Sequence, residues 1–111
     1  MTSIEHEAPF ELDRFEFVLL KRPASSPQIA EQEAARIQAL HLSHLGEMRA
    51  AGHMLVAGPF EDQPDESMRG MCIYKTGSIE RTRALAASDP AVAAGRLEVE
   101  VMYFYCPKGS L

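Results

Sequence analysis

The chain lacks the features that mark several large function classes. It has no cluster of lysine and arginine, and its formal net charge is -5 with a pI near 5.3. A nucleic-acid binder needs a basic surface to displace phosphate counterions, so no nucleic-acid partner is expected. No apolar run approaches the length of a membrane span, so no membrane partner is expected either. Only two cysteines occur, Cys72 and Cys106, without CxxC spacing or a companion metal-ligand pattern. No Ser-His-Asp arrangement, P-loop or dinucleotide fingerprint is present, and no cofactor is implied. Internal repeats and low-complexity segments are absent. The acidic opening stretch, MTSIEHEAPFELDR, has no apolar core of the secretory kind and reads as a flexible arm over residues 1–14.

What is present fits one domain over residues 15–111. The length of 111 residues and an apolar fraction of 46% suit one core. So small a domain buries only a moderate share of its surface, which favours a second subunit. Phe15–Leu20 reads as a strand. Ser26 and Pro27 form a plausible cap and first turn for a helix over residues 28–51. At about 100° per residue, Ala30, Ile37, His41, His44 and Met48 share one sector of that helix. Gly46 weakens it, and Gly52 is placed to end it in the left-handed conformation.

A second strand, His53–Ala57, closes at Gly58-Pro59. A polar, acidic loop over residues 61–67 leads to a third, Met68–Tyr74, interrupted by Gly70; a strand glycine marks a bulge or a close approach. Ser78 caps a second helix over Ile79–Ala87. Ser88-Asp89-Pro90 breaks it, because a residue before proline avoids the α region. A short helical piece over residues 91–95 leads to a long last strand, Arg96–Cys106.

The order strand, helix, strand, strand, helix, strand predicts an α+β fold of ferredoxin-like βαββαβ topology. It has a four-stranded antiparallel sheet with two helices on one face. Strands three and four are not neighbours there, so both cysteines are expected as free thiols, which suits a reducing, cytoplasmic compartment. The last strand is apolar on both faces toward its end, with Tyr103 and Tyr105 on one side and Met102 and Phe104 on the other. A sheet covered on one side alone would keep its second face polar. The pattern therefore predicts that two sheets meet as a homodimeric α+β barrel.

His41-Leu42-Ser43-His44, the glycine at the helix end, the strand finishing in Gly58-Pro59, Gly70 and Ser88-Asp89-Pro90…Gly95 together resemble the YCII-related family. The resemblance spans about Phe15 to Tyr105. It implies the same dimeric ferredoxin-like barrel, and a site centred on His41 and Asp89. Some members and fold relatives act on ring compounds by dehydrohalogenation, isomerisation or cofactor-free oxidation.

Imidazole is a good carrier of protons near neutral pH, and a carboxylate on one ring nitrogen fixes its tautomer. His41 is thus the candidate acid/base and Asp89 its orienter, with a small ring or enol-type molecule as ligand. His44, Gly58, Pro59 and Tyr103 are candidates to line the substrate pocket. Bland readings stand beside these. A histidine on an apolar helix face is more often a hydrogen-bonded core residue, and an aspartate before proline often bonds its own turn. His41 and His44 could chelate a metal at i, i+3 spacing, but only with His53 or Glu47 joining them, and no metal is expected. The alternative to an enzyme is a non-catalytic module that binds a small molecule or another protein.

Overall fold

The computed structural model describes residues 9–111; most of the expected N-terminal arm, residues 1–8, lies outside the described residues. Seven elements follow in order: β1 (Leu12–Lys21), α1 (Glu31–Ala50), β2 (Met54–Pro59), β3 (Met68–Tyr74), α2 (Ile79–Ala87), α3 (Pro90–Ala93) and β4 (Glu98–Pro107). The strands form one antiparallel sheet in the order β2-β3-β1-β4. This is the ferredoxin-like α+β arrangement that the pattern predicts. β1 begins three residues before the expected Phe15, because Leu12, Asp13 and Arg14 pair with Pro107, Cys106 and Tyr105 of β4.

The sheet's helix-facing side holds the core. Val18, Leu20, Met54, Cys72, Tyr74 and Ala86 are buried together, and Leu45, Met48, Leu85, Val99 and Val101 pack around them. Alternation along each strand places Val18 opposite Val101 and Cys72, so each row of this face spans the three strands. Each such aliphatic side chain contributes roughly 1.5–3 kcal/mol when fully buried. β3 and β4 are separated by β1, and both cysteines are free thiols, as the topology predicts.

Glu16 lies between Phe15 and Phe17 in β1 and is fully buried. Its carboxylate accepts from the backbone N–H groups of Thr76 at 2.8 Å and Gly77 at 3.3 Å, and from the Thr82 hydroxyl at 2.7 Å. A buried charge is tolerated where such donors surround it. Glu16 thereby ties β1 to the turn that starts α2. In that turn Ser78 caps the helix, its hydroxyl accepting from Arg81 N–H at 3.2 Å.

α1 starts later than the sequence suggests. Ser26 does not cap it; the helix begins at Glu31 after Ala30, which has no side-chain cap bond. The segment before it is held elsewhere. The Pro27 carbonyl accepts from Arg96 Nη1 at 3.1 Å, so it faces the approach to β4 instead of opening a helix. The other end follows expectation. Gly52 adopts φ 81°, and its N–H and that of His53 donate to Arg49 and Met48 carbonyls, both at 3.0 Å. This pair of bonds satisfies carbonyls that the last helical turn leaves open.

The opposite face of the sheet carries an apolar patch where the middle of β1 meets β4. Phe104 lies across from Phe15, and Met102 from Phe17. Met102 and Phe104 are 43% and 40% exposed.

Candidate active site

α1, the start of α3 and one end of the sheet enclose the site. His41 and His44 project from α1 toward the protein interior; both are buried. Asp89 precedes Pro90 and caps α3, with Oδ1 accepting from Ala91 N–H at 2.8 Å. That is the local turn bond typical of an aspartate in this position. Its second oxygen serves a different group: Oδ2 lies 2.5 Å from His41 Nδ1. One carboxylate therefore fixes both a helix start and an imidazole. His41 and Asp89 are 8% and 2% exposed, so water competes little for this bond.

A cavity of about 310 Å³ opens beside the imidazole. That volume falls at the lower end of the range for small-molecule sites. Leu20, Leu42, Leu45 and Leu97 supply apolar wall, and Gly58 and Pro59 supply backbone where β2 ends. Gly70 faces them across the β2–β3 ladder. A Cβ on Gly70 would stand 2.6 Å from the Gly58 carbonyl oxygen, so this glycine marks a close backbone approach. With Nδ1 donating its proton to Asp89, Nε2 is left as the acceptor. It has no hydrogen-bond partner among the described residues.

Of the residues singled out in the sequence, His41, Gly58 and Pro59 line the cavity, and Asp89 reaches it through His41. His44 does not line it. It points into the core one turn further along α1, and its buried Nε2 has no partner. Tyr103 is not at the cavity either. It pairs with Glu16 toward the other end of β4, with Arg14 stacked 4.1 Å from its ring centre and its hydroxyl accepting from Ile79 N–H at 3.4 Å. Six residues of extended chain separate it from Leu97 at the cavity, roughly 20 Å. Among the described residues no three His, Cys, Asp or Glu side chains gather as a metal site.

Three arginines also line the cavity, and the sequence gives no local signal for any of them: Arg22, Arg69 and Arg96. They are far apart in the chain and form no local cluster. Only the strand order brings them to one edge.

Cys72 lies in the core beneath the site. Burial, with the Asp89 charge adding to it, pushes its thiol up to about 12. Burial likewise raises the Tyr74 phenol, with Cys72 and Asp89 contributing after it. Both groups are therefore neutral at ordinary pH.

The YCII-related domain profile matches residues 16–105. The chain belongs to the YCII-related family. No curated protein matches its sequence. Among solved structures it is similar to 5-chloro-2-hydroxyhydroquinone dehydrochlorinase from Burkholderia phenoliruptrix, solved in complex with 2,5-dihydroxybenzoquinone. The TM-score is 0.56 at 22% identity, covering 79% of this chain and 90% of that one. At this identity the likeness is one of fold. The YCII-related frame accounts for the path of the chain, and the His41–Asp89 contact is a property of its own residues.

Proposed function

We propose that this YCII-related protein is a cofactor-free enzyme that moves a proton with His41 on a small ring or enol-type substrate. Lyase, isomerase and dehydrohalogenase steps are the reactions in view. The observation that carries this reading is the 2.5 Å contact between His41 Nδ1 and Asp89 Oδ2 at the wall of a ligand-sized cavity. Asp89 holds the ring in one tautomer and stabilises the imidazolium that forms when Nε2 takes a proton. Apolar walls keep water from competing for that proton. The similar solved protein is named for a dehydrochlorination, in which a substrate loses one proton and one chloride. Such a step needs a base and no oxidant.

The protein works as a cytoplasmic homodimer in this reading. Met102 and Phe104 on the open sheet face supply the apolar surface that a second sheet would cover.

Chloride release from 5-chloro-2-hydroxyhydroquinone, the compound in the similar protein's name, is the direct test. Turnover is expected in the parent and should fall roughly 10²–10⁴-fold in His41→Gln, the usual range for a lost acid/base group. Proton exchange into enolisable ring compounds provides a second assay. Ligand binding without turnover or exchange in the parent would instead identify a non-catalytic binding module.

A further inference from the structure

The three arginines at the cavity have no role in the proton chemistry above. Arg22 follows β1, Arg69 is the second residue of β3, and Arg96 precedes β4. Lys21 pairs with Met68 on one side and with Glu98 on the other. The end of β1 thus meets the beginnings of β3 and β4, and this edge brings all three arginines to the cavity that His41 lines.

None of the three takes part in an ion pair among the described residues. The four pairs there join Lys21 to Glu100, Arg36 to Glu33, His41 to Asp89 and Lys108 to Glu11. Arg69 Nη1 donates only to the Glu66 carbonyl at 3.3 Å, and Arg96 Nη1 only to the Pro27 carbonyl at 3.1 Å. The Arg22 side chain makes no hydrogen bond among the described residues. Its guanidinium is held below its ordinary range by partial burial first, then by the charges of Arg69 and Arg96.

The chain as a whole has an excess of acid, 16 Asp and Glu against 11 Lys and Arg. Three like charges converging without a carboxylate partner in such a chain repel one another and cost stability. An anion placed among them removes that repulsion. Guanidinium groups also match the planar oxygens of a carboxylate in geometry.

We propose that Arg22, Arg69 and Arg96 form an anion subsite in the wall of the His41 cavity, and that the ligand is a small organic acid. Its carboxylate docks on the arginines, and its ring or enol portion lies over the leucines against His41 Nε2. The orientation of the ligand relative to His41 rests on the acid/base reading above; the subsite does not.

Salicylate and its uncharged methyl ester are suitable probes, titrated calorimetrically into the full chain. Salicylate should bind about tenfold or more tightly than the ester, the difference that one charge-assisted contact supplies. Added sodium chloride should weaken salicylate alone. The R22Q/R69Q variant changes two exposed side chains, and its circular dichroism should match the parent. It should lose the preference for the acid and keep the affinity for the ester. Equal affinities in the parent, an unchanged preference in the variant, or no salicylate binding at millimolar concentration would each overturn the subsite. His41→Gln separates the two proposals. Acid-selective binding retained there, with no proton exchange in the parent, keeps the subsite and removes the enzyme. Proton exchange lost in His41→Gln, with no acid preference in the parent, does the reverse.

Discussion

The His41–Asp89 contact makes a thermodynamic demand that can be measured without a substrate. Both side chains are buried, and the Nδ1 to Oδ2 distance is 2.5 Å. A hydrogen bond with a charged partner contributes about 1.5–3 kcal/mol net. Asp89 also caps α3 through Ala91 N–H, and such a cap contributes about 1 kcal/mol. Asp89→Ala should therefore cost roughly 2.5–4 kcal/mol, the sum of the two. His41→Phe keeps the ring's bulk but leaves one carboxylate oxygen buried without its donor, and should cost roughly 2–3 kcal/mol. In a double-mutant cycle the cap contribution appears in both Asp89 legs and cancels. The coupling energy then isolates the contact and should lie near 1.5–3 kcal/mol. Urea unfolding followed by circular dichroism gives all four stabilities, at one protein concentration so that any self-association affects them alike. A coupling within about 0.5 kcal/mol of zero means additive, independent residues. It would refute the dyad, and the acid/base reading would lose its orienting group.

Other outcomes follow from single positions. Gly70→Ala should cost about 3 kcal/mol or more in the same unfolding assay, because the new Cβ meets the Gly58 carbonyl oxygen at 2.6 Å and neither backbone can yield alone. Gly46→Ala should stabilise by about 1 kcal/mol, since Gly46 lies inside α1 with nothing within 4 Å of a Cβ there. Native protein should alkylate at Cys106 and not at buried Cys72. Because the folded Cys72 thiol titrates at about 12 against an ordinary 9.0, the unfolded chain loses this proton first. Stability should then be full below about pH 9 and decline as the pH rises toward 12, less steeply in Cys72→Ala. Phe104→Glu should weaken self-association in sedimentation measurements by placing an unpaired charge on the open apolar face.

The fold was legible because its signals are local and agree with one another. β3 and α2 occupy the predicted residues, and Ser78 and Gly52 cap helices as their chemistry suggests. The misplaced start of α1 shows where local signals stop. Ser26-Pro27 has the chemistry of a helix start, but the Pro27 carbonyl bonds Arg96, 69 positions along the chain. Glu16 is the same lesson within a strand. Its alternation fits a buried face, but only the turn at Thr76 and Gly77, some 60 positions on, supplies the donors that make a carboxylate acceptable there.

The site divides along the same line. His41 lies on the helix sector that the periodicity marks as buried, and Asp89 precedes a proline that fixes its turn. Their family pattern links them, and in the fold they are 2.5 Å apart. Tyr103 has the chemistry of a pocket residue, yet position along β4 decides what a side chain can reach. Tyr103 aligns with Glu16 near the middle of β1, four residues before Leu20 at the cavity. The arginines show the converse. Each is an ordinary isolated cation beside a strand end, and an acidic composition draws attention away from positive charge. Once the order β3-β1-β4 is known, the end of β1 must meet the beginnings of its two antiparallel neighbours. Cations just beyond or just inside those three ends then share one edge of the sheet, and here the cavity opens at that edge. Topology thus turns three dispersed charges into one local field beside His41, and any ligand that enters must answer it.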